Sequence, residues 1–277
     1  MIDKTEISFC DSHLHLQDPV YPLENTAMIQ RAIDVNIRLM VCNGTSPDDW
    51  PAIKNLADKY DFILPCFGVH PWFVQNLPDN WHDTLKKFLT DTPSAIGEIG
   101  LDRWKEPFRE ELRTEVFIRQ LDLAIELSRP AIIHCLKAWD QLLAVLKHYS
   151  PFENGLLIHA FSGSTEMMHK LLDYNAYFSI AADALRPDRS QLHETLRKIP
   201  LDRILVETDS PDMLPLEKFR THTPMKNKDG KKLNEPANLP AIVAGLAEIL
   251  NINPETLTQT LWLNSTNFYS KITDKNE

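Results

Sequence analysis

Short apolar runs alternate along this chain with segments whose apolar residues recur every three or four positions. The first pattern predicts buried parallel strands, and the second predicts amphipathic helices. Helical spacing is found, for example, in NTAMIQRAID, TEVFIRQLDLAIELS and SQLHETLRK, and again in PAIVAGLAEIL and PETLTQTLWLN after the last strand. Eight strands are predicted, near residues 7–15, 38–43, 62–68, 94–99, 130–135, 155–160, 176–181 and 202–207.

Eight strand-helix repeats predict a TIM-type (β/α)8 barrel, an α/β architecture in which the helices surround a parallel sheet. The length of 277 residues suits such a barrel, so we expect a single domain over residues 1–277. A doubly wound open sheet is the alternative, because it is built from the same alternation of strands and helices.

Side chains that bind divalent metals stand at or just after the ends of five of these apolar runs. They are His13, His15, Glu98, His134, His159 and Asp209. Parallel strands of a barrel present their C-terminal ends on one face, and the active sites of such barrels are built there. The six side chains would therefore converge on a centre for one or two divalent cations.

The motifs DSHLH and GEIGLD are the most specific parts of this pattern. The two-residue period of a strand puts Asp11, His13 and His15 on the same face. His13 and His15 are separated by one residue, which is the spacing that lets both reach a common metal. Glu98 stands between Gly97 and Gly100, which allow close approach of the backbone. A carboxylate buried there is costly unless it is paired or metal-bound, and we expect its two oxygens to bridge two cations.

The remaining ligand candidates come from three later strands. His134 and His159 each follow three aliphatic residues with the same offset, which favours a second metal over two core histidines hydrogen-bonded to the backbone. Asp209 follows the apolar run ILV and the dipeptide ET. It could bind metal, accept a proton from a water molecule, or do both, and it is with Glu98 a candidate catalytic residue.

Four residues are candidates for contact with the substrate. His70 in GVHPW follows the third strand and would face the same rim, although a structural turn histidine has the same sequence pattern. Trp104 follows GEIGLD and could stack on a base. Lys226 and Lys228 belong to the basic segment EKFRTHTPMKNKDGKK, which favours a phosphate-bearing substrate if it is more than a solvated loop.

Composition narrows the class of protein. With 39 acidic and 29 basic residues the net charge is -10, which argues against broad non-specific binding to nucleic acids or membranes but leaves room for a local basic patch. The chain contains no P-loop, GxGxxG or GxSxG motif. Nucleotide hydrolysis on a glycine-rich loop, dinucleotide redox chemistry and serine hydrolysis therefore lose support.

The cysteines and the hydropathy pattern predict the compartment. No apolar stretch reaches about 18 residues, and the N-terminus lacks the apolar region of a signal peptide, so we expect no membrane span and no membrane partner. The cysteines show no CxxC spacing and lie in or beside apolar runs, which predicts buried free thiols and a reducing, cytoplasmic location. They are Cys10, Cys42, Cys66 and Cys135.

Motifs along nearly the whole chain resemble, in order, those of the TatD family of metal-dependent hydrolases. They are DSHLH, GVHP, GEIGLD, PAIIH, HAFSG, ETDSP and NEPANL. The resemblance implies a TIM-type barrel, a one- or two-metal centre and metal-dependent deoxyribonuclease activity. It also implies the division of ligands between the metals: His13, His15, Glu98 and Asp209 for one, and Glu98, His134 and His159 for the other.

Two positions depart from the family pattern. Leu136 stands where the family commonly has an arginine two residues after the fifth-strand histidine, and Ala160 replaces a cysteine after the sixth-strand histidine. The metal ligands are untouched by both changes. The missing arginine leaves phosphate binding to Lys137 or to the basic segment.

The sequence thus predicts a hydrolase of DNA or another phosphate ester. Two divalent cations (Zn, Mn or Mg) bridged by Glu98 would acidify a water molecule, and Asp209 would orient it and accept its proton. One alternative is a metal-dependent ester or amide hydrolase, such as an aminoacyl-ester deacylase. Another is a metal-binding protein without turnover. No obligate protein partner is evident from the sequence.

Overall fold

Eight parallel strands pair in the order in which they occur along the chain. The computed structural model describes residues 7–21, 26–107 and 109–273, so both ends of the predicted 1–277 domain lie outside the described residues. All eight predicted strands are present. They are β1 (Phe9–Leu14), β2 (Ile37–Asn43), β3 (Ile63–Phe67), β4 (Ala95–Asp102), β5 (Ala131–Leu136), β6 (Leu156–Ile158), β7 (Ala176–Ile180) and β8 (Ile204–Val206).

The sheet closes because the chain after β8 runs beside β1. The backbone N–H of Asp209 donates to the carbonyl of His13 at 3.0 Å, and the N–H of His15 donates to the carbonyl of Ser210 at 2.8 Å. A doubly wound sheet reverses its strand order at a switch point, which this sequential order excludes. The predicted TIM-type barrel is confirmed, and its closure places two histidines beside an aspartate.

Helices surround the sheet, and each predicted helical segment forms one. They are α1 (Thr26–Asp34), α2 (Trp50–Lys59), α3 (Trp81–Asp91), α4 (Glu110–Glu126), α5 (Trp139–Leu146), α6 (Thr165–Leu172), α7 (Ser190–Leu196), α8 (Leu239–Leu250) and α9 (Pro254–Thr273). Short 3-10 turns occur at Val74–Asn76, Ala182–Leu185, Leu201–Arg203, Glu217–Phe219 and Pro236–Asn238. No helix in the described ranges is long and apolar enough to cross a lipid bilayer.

The last helix covers the end of the barrel at which the strands begin. Phe268, Tyr269 and Ile272 of α9 pack with apolar side chains from inside the barrel, and the hydroxyl of Tyr269 donates to the carbonyl of Ser12 at 3.2 Å. Asn264 donates to the carbonyl of Ile204 at the start of β8. This end is therefore sealed by packing, and the opposite end is free to form a site. The four cysteines are buried and free, as predicted.

Strand β4 differs from its prediction in length. It continues to Asp102, so Glu98 lies inside the strand rather than at its end. The pairing of β4 with β5 shifts register between Ile96 and Ile99, around Glu98. Gly100 has φ +146°, and a Cβ atom at this position would lie 2.0 Å from the carbonyl oxygen of His134. The close backbone approach predicted for this glycine is confirmed.

Replacement of Gly100 by alanine should therefore destabilise the fold. Backbone strain at positive φ and collision with the neighbouring strand should together lower the free energy of unfolding by about 3 kcal/mol. Gly230 (φ +80°) is a matched control because a Cβ there meets nothing within 4 Å. Gly230→Ala should cost about 1 kcal/mol, from backbone strain alone. Urea unfolding of the metal-free variants measures both changes in the free energy of unfolding. Equal losses in Gly100→Ala and Gly230→Ala would show that collision of the new Cβ with His134 does not contribute.

Candidate metal centre

The six predicted ligands meet at the open mouth of the barrel. His13 lies on β1 and His15 directly after it, Glu98 on β4, and His134 on β5. His159 follows β6, and Asp209 follows β8. All except His13 line a cavity of about 900 Å³, and His13 is fully buried beneath it.

Glu98 stands between two pairs of histidines. Its Oε2 lies 3.3 Å from Nε2 of His13 and 3.4 Å from Nε2 of His15. Its Oε1 lies 2.9 Å from Nδ1 of His134 and 2.9 Å from Nε2 of His159. Each carboxylate oxygen thus faces one pair, and the two pairs share a single carboxylate.

Asp209 belongs to the first of these pairs. Its Oδ1 lies 3.6 Å from Nε2 of His13 and 3.7 Å from Nε2 of His15. The residue has φ +51° and is buried. The backbone hydrogen bond to His13 that closes the barrel also holds Asp209 at this side of the centre.

Outer hydrogen bonds determine which nitrogen of each ring faces inward. Nδ1 of His15 lies 2.8 Å from the carbonyl oxygen of Asn43, which can only accept, so this nitrogen carries the proton. In the neutral ring the inward Nε2 is then a lone pair that can bind a cation. Burial alone would lower the pKa of His15, but Glu98 and Asp209 raise it to about 9 in the metal-free protein, so a metal ion would take the place of a proton there. The ring of His13 also points Nε2 inward, and its Nδ1 is buried without a hydrogen-bond partner among the described residues.

Two carboxylates hold the second pair in the same way. Nε2 of His134 lies 3.0 Å from Oδ2 of Asp102, and Nδ1 of His159 lies 3.3 Å from Oε1 of Glu207. In the neutral rings both contacts leave the other nitrogen facing Glu98 as a lone pair that can bind a cation. Burial alone would lower the pKa of both histidines, but Glu98 and the outer carboxylates raise it, which favours a proton in that place in the metal-free protein. Glu207 is itself fixed by the backbone N–H of Ala160 at 2.8 Å.

These inward nitrogens fit divalent metal ions. Within each pair the two facing nitrogens are 3.2 Å apart, in His13–His15 and in His134–His159. Lone pairs this close to one another and to a carboxylate repel unless a cation or a proton lies among them. Imidazole and carboxylate are ordinary ligands of Zn and Mn, so the donor set suits the metal that the sequence predicts.

In the metal-free protein the pKa values of Glu98 and Asp209 are shifted in opposite directions. Burial alone would raise the pKa of Glu98, but the surrounding histidines, His70, His159 and His13 foremost, hold it well below its usual value. Burial raises the pKa of Asp209 to about 7, and the charges of nearby carboxylates add to this effect. Glu98 is therefore ionised at neutral pH, whereas Asp209 is partly protonated.

His70 also points at Glu98, but with the other kind of nitrogen. The backbone N–H of Trp72 donates to Nδ1 of His70 at 3.1 Å. In the neutral ring the proton is therefore on Nε2, which lies 3.4 Å from Oε1 of Glu98. Burial lowers the pKa of His70 to about 4, so the ring is neutral. Its neutral ring offers a hydrogen-bond donor to the cavity, whereas the outer contacts of His15, His134 and His159 leave a lone pair facing inward when those rings are neutral.

Three further acids support the centre: Asp11, Asp102 and Glu207. Sequence reasoning placed Asp11 on the face of His13 and His15 without giving it a role, and it missed Asp102 and Glu207. Asp11 accepts from the backbone N–H of Thr208 at 2.9 Å and from its hydroxyl, next to Asp209. All three acids lie an even number of residues from a predicted ligand in DSHLH, GEIGLD or ETDSP. The two-residue period of a strand identified Asp11 and could have identified Asp102 and Glu207 in the same way.

Two of the four predicted substrate contacts lie in the cavity and two do not. His70 and Trp104 line the cavity, and so does Leu136 at the position of the family arginine. Lys226 and Lys228 are not among the described residues that line it. Their segment forms a hairpin in which Lys226 pairs with Lys232, and it borders the mouth through Lys231, whose Nζ lies 2.8 Å from Asp212.

The rim of the cavity carries more acid than base. Asp18, Asp49, Asp183 and Asp212 line it, whereas Arg189 is the basic residue in the described lining and forms an ion pair with Asp183. Leu136 lies in the same lining. The basic character that the sequence predicts for this face thus lies beside the mouth, in the hairpin, rather than in the cavity wall.

Comparisons with known proteins agree on one family. The sequence profile described as TatD related DNase matches residues 10–270. The 3'-5' ssDNA/RNA exonuclease TatD of Erwinia billingiae (strain Eb661) is 31% identical over 251 residues, which cover 89% of this chain and 93% of that protein. The uncharacterized metal-dependent hydrolase YjjV of Escherichia coli (strain K12) is 27% identical over 261 residues, with 93% and 96% covered.

Two solved structures share the fold. The crystal structure of the TatD homologue YjjV from Escherichia coli K12 superposes with a TM-score of 0.85 at 24% identity, covering 95% of this chain and 98% of that one. A hydrolase of the TatD family from Entamoeba histolytica gives a TM-score of 0.83 at 22% identity with the same coverage.

Asp209 allows a prediction of pH dependence for the metal-free protein. Because its folded-state pKa of about 7 lies above the ordinary aspartate value of 3.8, the stability that it contributes is present below about pH 4 and is lost as the pH rises through 7. Asp209→Asn removes this loss. The variant should match the wild type near pH 4 and exceed it by about 1–3 kcal/mol near pH 8.

Urea unfolding in the presence of a chelator, at a series of pH values, measures this difference. Asp229→Asn, in the hairpin, is the matched control and should follow the wild type throughout. A constant offset between Asp209→Asn and the wild type at all pH values would contradict the buried carboxyl as its source.

Proposed function

The chain belongs to the TatD-related DNase family of metal-dependent hydrolases, and from this premise we propose that it hydrolyses phosphodiester bonds of single-stranded DNA. The relative from Erwinia billingiae is named as an exonuclease of single-stranded DNA and RNA, which supports a single-stranded substrate. RNA is the closest alternative substrate and belongs in the same assay.

The observation that carries the proposal is the position of Glu98 between two histidine pairs. One cation would be held by His13, His15, Asp209 and Oε2 of Glu98, and a second by His134, His159 and Oε1. Four imidazoles favour Zn or Mn, and the carboxylates also accept Mg. Two cations per chain is the proposed stoichiometry.

When bound, the cations would supply Lewis acidity, which lowers the pKa of water to near neutrality and offsets charge on phosphoryl oxygens. Asp209 would orient the attacking water and accept its proton, because its buried carboxylate lies at the first histidine pair and lines the cavity. Nε2–H of His70 would donate to a phosphoryl oxygen. Asp102 and Glu207 would keep the rings of His134 and His159 turned toward the centre.

Substrate contacts outside the centre are also part of the proposal. Trp104 would contact the nucleic acid at the mouth, and Lys226 and Lys228 would attract it from the bordering hairpin. We further propose that residues 1–277 form one domain and that the protein is cytoplasmic, which four buried free thiols support.

A metal-dependent ester hydrolase is the second candidate because the rim is acidic. Four rim aspartates, Asp18, Asp49, Asp183 and Asp212, would repel a polyanion more than a neutral ester. The deciding assay incubates the metal-reconstituted protein with labelled single-stranded DNA, with RNA and with simple esters. Hydrolysis of esters without cleavage of either nucleic acid would replace the nuclease proposal.

Glu98→Gln should abolish function without unfolding the protein. Removing the shared charge should reduce binding from two Mn²⁺ ions to one or none and lower turnover of single-stranded DNA at least about 100-fold. Isothermal titration calorimetry measures the first effect and a nuclease assay the second. Glu115→Gln, on the exposed side of α4, is the matched control and should retain both. Two-ion binding by Glu98→Gln would contradict the bridging role.

Neutralising the hairpin should weaken attraction of DNA. In the quadruple glutamine variant of Lys226, Lys228, Lys231 and Lys232, the KM for DNA should rise and the dependence of KM on salt should flatten, because fewer counterions are released on binding. The kcat should change less, and a small neutral ester should be unaffected. Neutralising four lysines on α2 and α3 is the matched control: Lys54, Lys59, Lys86 and Lys87. The same dependence of KM on salt concentration in both variants would show that the hairpin lysines make no contribution to DNA binding.

A further inference from the structure

An aromatic shelf formed by Trp72, Phe73 and Trp104 lies beside the metal centre. Trp72 and Phe73 follow β3, Trp104 follows β4, and all three line the cavity. We propose that this shelf stacks a nucleobase of a single-stranded nucleic acid and so holds the adjoining phosphodiester at the centre. The proposal rests on the nuclease function proposed above and specifies what part of the substrate is recognised.

Both tryptophans are tied to the centre by the same kind of contact. The backbone N–H of Trp72 donates to His70, whose opposite nitrogen faces the shared carboxylate. The backbone N–H of Trp104 donates at 2.8 Å to Oδ1 of Asp102, whose Oδ2 contacts the ring of His134. In each case a side chain two residues before the tryptophan joins it to the centre. The shelf is therefore fixed in position relative to the reacting groups.

The shelf keeps an apolar surface open to solvent. Trp104 is 57% exposed and Phe73 is 46% exposed, and they are two of the five large apolar side chains most exposed in the described part of the chain. The rings of Trp72 and Trp104 already pack together, with centroids 6.2 Å apart and planes tilted by 33°. A base would therefore stack on the exposed surface of Trp104 rather than enter between the two indoles, and Phe73 adds a second exposed ring to the same cavity lining. Stacking of this kind is tolerant of sequence because every base has a flat face.

The charges around the cavity favour this mode of recognition. Nζ of Lys105 lies 4.2 Å from the ring centroid of Trp72, and no carboxylate among the described residues forms an ion pair with it. A phosphate beside the shelf would meet this cation, which would offset part of the repulsion by the four rim aspartates. Stacking also supplies affinity that an acidic rim does not weaken. A duplex hides the faces of its bases, so the shelf selects single strands.

The test compares a short oligothymidylate with an abasic oligomer of the same length, which has the same phosphates and no bases. With Mn²⁺ present, the wild type should cleave the oligothymidylate with a kcat/KM about 10-fold higher or more. Trp104→Leu should remove this preference by raising KM with little change in kcat, and Trp104→Phe should keep most of it. Ile125→Ala, at an exposed apolar position on α4, is the matched control and should behave as the wild type.

Fluorescence anisotropy of labelled oligomers, with chelator present to prevent cleavage, gives the corresponding ratio of dissociation constants without turnover. Equal affinity and equal cleavage of the two oligomers by the wild type would overturn the shelf and leave the nuclease function standing. Cleavage of neither oligomer, together with tighter binding of the oligothymidylate, would overturn the nuclease function instead. A preference that survives in Trp104→Leu would exclude Trp104 as the stacking residue.

Discussion

Glu98 must carry a negative charge at a position that water barely reaches, and the organisation of the barrel mouth follows from that requirement. A buried carboxylate stays ionised only if neighbouring groups replace its hydration, and five imidazole rings surround this one. In four of these rings the nitrogen that faces Glu98 can stabilise its charge only when that nitrogen carries a proton or binds a cation. The acid and the rings therefore require positive charge between them, from protons in the metal-free protein or from metal ions, which is why the site and the ionised state of Glu98 cannot be separated.

Barrel closure determines whether this cluster can exist. His13 and Asp209 are nearly 200 residues apart in sequence, yet the backbone hydrogen bond between them belongs to the seam between β1 and the chain after β8. Stability is provided largely elsewhere, by the helices around the sheet and by α9 at the opposite end of the barrel. This separation allows the mouth to hold unfavourable groups, such as Asp209 with its raised pKa, without loss of the fold.

Substrate recognition at the mouth combines charges of opposite sign with an apolar surface. The metal centre would attract a phosphodiester, the rim aspartates would repel most of a polyanion, and the lysine hairpin lies to one side. Trp104 is exposed, and its backbone N–H is hydrogen-bonded to Asp102, which contacts His134. Stacking of a base on this tryptophan would depend on none of these charges. Under the proposed arrangement, specificity would come from the base next to the scissile bond and catalysis from the centre below it.

The sequence by itself determined the barrel and the members of the centre, because strand and helix periodicity are local and polar residues at apolar strand ends are visible in one dimension. Only the tertiary structure decided that Asp102 and Glu207 orient His134 and His159, and that β4 continues past Glu98. It also decided that the lysines border the cavity rather than line it. Each of these depends on strand register and loop packing between segments distant in sequence, and the energy of such contacts leaves no periodic pattern along the chain.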